Sequence, residues 1–189
     1  MLGLSSWSNR IPSLHIRTLL VYTAFLGIFG LNVFSFTDPD FWWHLRTGQY
    51  IVETGQIPRV DVFSYTAAGE PWITHEWASE IVLFLVFRAF GYAGDVLLIA
   101  FIVTAAFFII FRLCLALGIN DLVALLLVFW AALIMPPFYT VRPLMFSWLF
   151  FSVFLYSLYL YHRSTNRHLW HLPVLMVLWV NLHGGFAIG

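Results

Sequence analysis

Long apolar segments constrain this chain more than any other feature of its sequence. A helix that crosses the hydrocarbon core of a bilayer needs about 20 mostly apolar residues, and five stretches of the 189-residue chain approach that length. They are Ile16 to Phe36, Val96 to Leu117, Leu122 to Phe138, Leu144 to Tyr161 and the run from Leu169 onward. The sequence therefore predicts an all-α fold, a polytopic membrane helix bundle with about five spans and additional membrane-parallel helices on its outer side.

Composition supports this class and excludes others. Hydrophobic residues make up 61% of the chain and charged residues only 10%, against about 25% charged in soluble domains. We therefore treat residues 1–189 as a single integral membrane domain whose main partner is the lipid bilayer. The formal net charge of zero gives no reason to expect a nucleic-acid partner. The single cysteine, Cys114, leaves no internal disulfide framework and no cysteine-based metal motif.

The arginines predict the orientation of the spans. Arg10 and Arg17 precede the first span, and basic residues near a span favour the cytoplasmic side, which places the N-terminus in the cytoplasm. The stretch 77–90 is interrupted by Glu80 and Arg88, and its uninterrupted apolar core of seven residues is too short to cross a bilayer. If it lies in the interface instead, the basic connector 162–168 is also cytoplasmic. We expect a multi-pass protein of the cell membrane.

This topology gives the chain a large extracytoplasmic loop, residues 37–95, with juxtamembrane helices. It contains eight of the nine acidic residues. Asp38-Pro39-Asp40 resembles the start of a helix, because Asp38 can cap it and Pro39 suits its first position; Phe41, Trp42 and Leu45 then form an apolar stripe. The two aspartates also form an acidic pair at the water boundary, where such a pair binds a divalent cation or acts as a general base.

Other polar residues predicted on the outer side are candidates for ligand binding. Arg142 lies between two spans and either extends to the headgroups or contacts an anion such as a phosphate. Asn181 and His183 precede Gly184-Gly185 at the end of an apolar run, and polar groups at membrane depth usually face a cavity or a protein partner. The remaining candidates are His44, His75 and Glu76. One interpretation makes them hydrogen-bonded groups at the membrane interface; the other makes them a metal site together with His183 and the aspartates.

The layout resembles the GT-C class of polytopic glycosyltransferases, which includes protein O-mannosyltransferases, the lipid A aminoarabinose transferase and oligosaccharyltransferase catalytic subunits. The first acidic motif of that class is similar to Asp38-Pro39-Asp40-Phe41-Trp42-Trp43-His44-Leu45-Arg46. The stretch from His75-Glu76-Trp77 to Phe90-Gly91 resembles its second juxtamembrane helix. Arg142-Pro143-Leu144 occupies the place of an arginine that opens the span after the second outer loop, although Met145, Phe146 and Ser147 follow where the family often has another acid.

The resemblance implies a function. A polyprenyl-phosphate-linked sugar would enter from the bilayer, and the sugar would be transferred to an acceptor on the extracytoplasmic face. Asp38 or Asp40 would be the catalytic base or the ligand of a divalent cation, and Arg142 would pair with the lipid phosphate. His44, His75, Glu76, Asn181 and His183 would complete the substrate-binding side. Because the family fold continues through further spans, we expect this chain to be the N-terminal part of such an enzyme. The alternative is a non-catalytic polytopic protein, a transporter component or an assembly scaffold.

Overall fold

Helices form almost all of the regular structure. The computed structural model describes residues 15–33, 38–135, 138, 140–163 and 168–189. Over these ranges the chain is helical without a β-strand, which confirms the predicted all-α class. The helices are α1 (Ile16–Val33), α2 (Asp40–Thr54), α3 (Trp77–Ala116), α4 (Asp121–Ile134), α5 (Leu144–Arg163), α6 (His171–Leu182) and a 3₁₀ helix at Gly184–Ile188.

Three of the helices, α1, α3 and α5, are long and apolar enough to cross a membrane, which makes the chain a helical membrane protein. The other two predicted spans are shorter than the sequence suggested: α4 has 14 residues and α6 has 12, about 21 and 18 Å at 1.5 Å per residue. Two causes are local. Two prolines follow α4 closely in the sequence and cannot continue a helix, and α6 ends because His183 is extended.

Gly91 divides α3 into two segments. Its backbone is non-helical, with φ 66° and ψ −170°, in a region that favours glycine. The first segment, residues 77–90, is thereby separated from the longer apolar segment that follows. The chain is therefore divided just after the stretch 77–90, which the sequence analysis had separated from the apolar run that follows.

α2 packs against the first segment of α3. It ends at Thr54, and Gly55 follows in the left-handed conformation that favours glycine. Its buried face has the spacing of one helix side, with Phe41, His44, Gly48 and Ile51 all buried. Trp42, predicted to share a stripe with Phe41, instead lies half exposed at 53%. Helix packing therefore buries Phe41 against α3 and leaves Trp42 outside the buried face.

Asp61 orders the loop between α2 and α3. Its carboxylate accepts hydrogen bonds from the backbone amides of Phe63 and Ser64 and from the Ser64 hydroxyl. The hydroxyl bond is the main cause that lowers the pKa of Asp61 below its ordinary value. A β-bridge between Val60 and Pro71 closes the same loop. The Asp61 carboxylate turn and this bridge together give the loop its shape.

Two apolar clusters hold the helices together. The smaller one joins α1, α3 and α4 around Ile28, Phe111 and Val128. The larger one joins α2, α3, α5 and α6 and includes Phe41 and Trp179, both fully buried. The larger cluster fixes the start of α2 beside the start of α5 and the end of α6, where the candidate residues of the sequence lie.

Candidate functional site

The acidic pair and the arginine predicted from the sequence meet in the structure. Arg142 lies just before α5, and the two aspartates lie at the start of α2. Arg142 Nη1 is 3.3 Å from Asp38 Oδ2, and Arg142 Nη2 donates to Asp40 Oδ2. One guanidinium therefore bridges both carboxylates. It occupies the position that the sequence analysis considered for a divalent cation.

The two aspartates have different roles in the structure. Asp38 Oδ1 accepts a hydrogen bond from the Asp40 backbone amide at 2.9 Å, as a helix cap does. The Asp38 side chain is only 12% exposed, whereas that of Asp40 is 43% exposed. The capping function predicted for Asp38 is thus present, and Asp40 is the carboxylate of the pair that an outside molecule can reach.

A second cluster surrounds Glu76, immediately before α3. Its carboxylate lies near three histidines that are distant in sequence: His183 Nε2 at 3.3 Å, His75 Nε2 at 3.4 Å and His44 Nδ1 at 3.7 Å. Glu76 and these three histidines, all of them candidates from the sequence, are therefore close together. Asn181, another candidate, lies at the edge of the cluster, where its Oδ1 accepts a hydrogen bond from Trp77 Nε1 at 2.8 Å.

A chain of hydrogen bonds fixes the ring of His183. Trp179 Nε1 donates to Ser147 Oγ at 2.7 Å, and the Ser147 hydroxyl lies 2.7 Å from His183 Nδ1. The Gly185 amide donates to the same nitrogen at 2.9 Å. Because Nδ1 accepts, the neutral ring carries its proton on Nε2, which faces Glu76.

Electrostatics agree with this assignment. Burial lowers the pKa of His183 below its ordinary value of 6.5, while the charge of Glu76 acts in the opposite direction. The charge of Arg142 also lowers this pKa, so the Arg142 cluster and the Glu76 cluster lie within electrostatic range of each other. We treat the two groups as one candidate site, with the ion pairs of Arg142 at one end and the histidines around Glu76 at the other.

Glu80 extends the site inward. His44 Nδ1 is 3.1 Å from Glu80 Oε1, and both side chains are almost fully buried. Glu80 Oε2 is buried without a hydrogen-bond partner. This depth depends on Gly48, because a Cβ there would lie 2.0 Å from the Glu80 carbonyl oxygen. The absence of a side chain at Gly48 lets α2 approach α3 closely enough to bury the His44–Glu80 pair.

An apolar cavity of about 470 Å³ opens beside the site. It lies among α3, α4, α5 and the C-terminal 3₁₀ helix, and its walls include Phe107, Leu144 and Phe151. Ser147 and Gly185, which contact His183, lie on its lining. The cavity therefore connects a hydrocarbon-like volume with the polar cluster.

Metal binding receives no support from the geometry. In the ranges that the structure describes, no group of three or more His, Cys, Asp or Glu side chains is arranged to hold a metal ion. The carboxylates of Asp38 and Asp40 face a guanidinium, and Glu76 faces imidazoles at hydrogen-bonding or ion-pairing distances. Each of these carboxylates already has a side-chain partner within the protein.

Sequence reasoning missed Ser147, Trp179, Glu80 and Gly48. Ser147 lies inside a predicted span, and its only signal is a polar residue three positions before Phe150 in an otherwise apolar run. Gly48 carries a weak signal, a glycine inside a helical pattern, which often marks close packing. Nothing in the local sequence indicates that Trp179 donates to Ser147, because that contact joins two different helices.

Comparisons with protein-family models, with curated proteins and with solved structures find no match for this chain. Its resemblance to the GT-C class therefore rests on the order of its helices and on the short motifs around Asp40 and Arg142.

Proposed function

We propose that this chain is a membrane glycosyltransferase, or the N-terminal part of one, that moves a sugar from a polyprenyl-phosphate donor to an acceptor on the extracytoplasmic face of the cell membrane. The observation that carries the proposal is the pairing of Asp40, a partly exposed carboxylate, with Arg142 from a distant helix. A base and a phosphate-binding cation are the two groups that such a transfer needs.

Asp40 is the base in this mechanism. Its carboxylate takes the proton from the acceptor hydroxyl as the oxygen bonds to the anomeric carbon of the sugar. The bond between that carbon and the phosphate oxygen breaks at the same time, and its electron pair leaves with the lipid phosphate. Asp38 does not compete for this role, because it is shielded and bonded to the α2 backbone.

Arg142 binds the departing phosphate. A guanidinium has five N–H donors in a planar fork that matches phosphate oxygens. When the donor phosphate binds, it replaces Asp40 as the partner of Nη2, while Asp38 keeps its contact with Nη1. This exchange frees the Asp40 carboxylate and holds the leaving group beside it, so donor binding prepares the base.

The cavity beside Ser147 supports a lipid-linked donor. Its walls are almost entirely carbon, which suits an isoprenoid chain and not a free nucleotide sugar. Leu144 and Ser147 on its lining follow Arg142 by less than two helical turns. A lipid tail in the cavity would thus reach the phosphate-binding end of the site.

The arginines at the other end of the bundle support an extracytoplasmic site. Arg17, at the start of α1, forms an ion pair with Asp121, at the start of α4 (3.3 Å). Both helices therefore begin on the same side, which the arginines of the sequence assign to the cytoplasm. The Arg142 site lies near the opposite ends of the helices.

One observation favours the second candidate, a non-catalytic scaffold or transporter component. Arg142 already forms ion pairs with both aspartates, and an ion-pair cluster of this kind also occurs as a purely structural contact between helices. In that case the cluster would hold α2 against α5 and would bind no donor.

Turnover distinguishes the two candidates. The full-length protein is reconstituted in vesicles with a radiolabelled polyprenyl-phosphate sugar, and transfer to acceptor is measured for the wild type and for Asp40→Asn. The glycosyltransferase proposal requires transfer by the wild type and its loss in the variant. Wild-type protein without transfer, or without any donor binding, would favour the scaffold.

A further inference from the structure

A groove between α2 and the first segment of α3 contains two arginines and no acidic residue. It has a volume of about 380 Å³ and is lined by Trp42, Leu45, Arg46, Gln49, Phe84, Phe87 and Arg88. Both arginines are exposed. Neither forms an ion pair with a carboxylate of the described residues: Arg46 Nη1 donates to Gln49, and Arg88 lies 5.8 Å from the centre of the Phe84 ring.

The groove is separate from the site at Arg142. Trp42, Leu45, Arg46 and Gln49 follow one face of α2 at helical spacing, and Asp40 and His44 lie on the opposite face. On α3, Phe84, Phe87 and Arg88 form the matching face. The groove therefore lies along the outer edge of the α2–α3 contact, where Leu45 and Phe87 also pack against the larger apolar cluster.

The surroundings of the groove indicate a membrane interface. Trp42 is 53% exposed, and Phe90, at the end of the segment before Gly91, is 74% exposed. Exposed aromatic rings combined with arginines are typical of helices that lie at the headgroup level of a bilayer. Trp42 therefore places an exposed aromatic ring on the wall of the groove itself.

We propose that this groove binds the phosphate group of an anionic phospholipid, with Arg46 and Arg88 as its ligands and Trp42 and Phe87 against the glycerol and upper acyl region. Charge complementarity selects the occupant, because two guanidinium groups without carboxylate partners favour phosphate. The nearby carboxylate of Glu53 does not line the groove; it accepts a hydrogen bond from the Gln49 side chain. Binding there anchors the α2–α3 pair to the bilayer surface.

The test uses native mass spectrometry of the purified full chain released from nanodiscs that contain phosphatidylglycerol or phosphatidylcholine. We expect the wild type to retain phosphatidylglycerol, and Arg46→Gln/Arg88→Gln to bind it at least about tenfold more weakly. Arg59→Gln, which alters an exposed arginine outside the groove, serves as the matched control and should retain the lipid. Equal retention by the double variant, or equal retention of phosphatidylcholine by the wild type, would overturn the proposal.

Two further measurements complete the test. Wild-type retention of phosphatidylglycerol should fall as the salt concentration rises, because screening weakens exposed charge pairs. Retention that does not change with salt would contradict an arginine site, and this result does not depend on whether the variants fold. Glycerol phosphate at millimolar concentration should not displace the lipid, and full displacement would assign the groove to free phosphates. Asp40→Asn should retain the lipid, so the outcome does not depend on the proposed transferase activity.

Discussion

The α-carbon of Gly48 faces the backbone carbonyl of Glu80 so closely that a Cβ at position 48 would lie 2.0 Å from that oxygen. Real Cβ atoms do not approach an oxygen this closely, so a side chain at this position would force α2 away from α3. The contact explains why His44 and Glu80 are buried together, and it makes Gly48 a structural requirement of the site.

Gly48→Ala should therefore destabilise the protein by about 1–3 kcal/mol, as overpacking does in other cores. Gly30→Ala is the matched control, because a Cβ at Gly30 meets nothing within 4 Å and alanine favours a helix by up to about 1 kcal/mol over glycine. Thermal unfolding in detergent should separate the two variants. Equal melting temperatures would show that α2 and α3 are not this close.

The stability of the wild type should fall on acidification through His183. Because burial lowers its folded-state pKa below 6.5, the unfolded chain binds a proton that the folded chain does not bind just below pH 6.5. The contribution is fully present above that pH and is lost as the pH falls toward the lowered pKa. Glu76 contacts the ring at 3.3 Å, and the charges of His75, His44 and Arg142 also act on the pKa of His183.

His183→Gln should reduce the loss of melting temperature between pH 7.5 and 5.5. The exposed His168 provides the control, and His168→Gln should follow the wild-type profile. If His183→Gln loses as much stability as the wild type over this interval, the ring is not held in its neutral form by the Ser147 network.

Asp95, in α3, is fully buried, and neither of its carboxylate oxygens has a hydrogen-bond partner among the described residues. A buried polar group without a partner costs about 1–3 kcal/mol. Asp95→Leu keeps the branching of the side chain and removes the polar atoms, so we expect a higher melting temperature by the equivalent of that cost. Asp121→Asn, at an exposed ion pair, should change little. A lower melting temperature for Asp95→Leu would mean that the carboxyl group contributes to stability.

Cysteine labelling tests the proposed orientation. After replacement of Cys114, single cysteines are introduced at Thr66, between α2 and α3, and at His168, just before α6; both positions are exposed. An impermeant reagent added to intact cells should label position 66 and leave position 168 unlabelled until the membrane is opened. Labelling of both from outside would mean that residues 77–90 cross the membrane and that the topology is inverted after them.

The sequence predicted the helices well and their contacts poorly. Hydropathy and the capping pattern of Asp38 located α1, α2 and α5 closely, because these signals are local. The lengths of α4 and α6 were overestimated, since hydropathy continues past the prolines and the extended residue that end them. Local periodicity also could not assign Phe41 and Trp42 to different environments, because the position of α3 decides which face of α2 is buried.

The sequence was enough to predict the charged residues of the candidate site. It was not enough to predict the residues that hold the site's histidines in place. Asp40 and Arg142 stand out because a charge next to an apolar span is costly and therefore conspicuous. Ser147 is uncharged, and Glu80 stood out only as an interruption of the apolar stretch 77–90. The importance of both comes from His183 and His44, which contact them only in the folded chain.

Transfer at saturating donor tests the central claim most directly, because it measures the chemical step separately from donor binding. Full-length wild type, Asp40→Asn and Asp121→Asn are reconstituted with excess labelled polyprenyl-phosphate sugar, and the rate of sugar transfer is compared. Removal of a general base costs about 10²–10⁴-fold, so we expect that loss in Asp40→Asn and wild-type transfer in Asp121→Asn. Transfer by Asp40→Asn at the wild-type rate would contradict the assignment of Asp40 as the base.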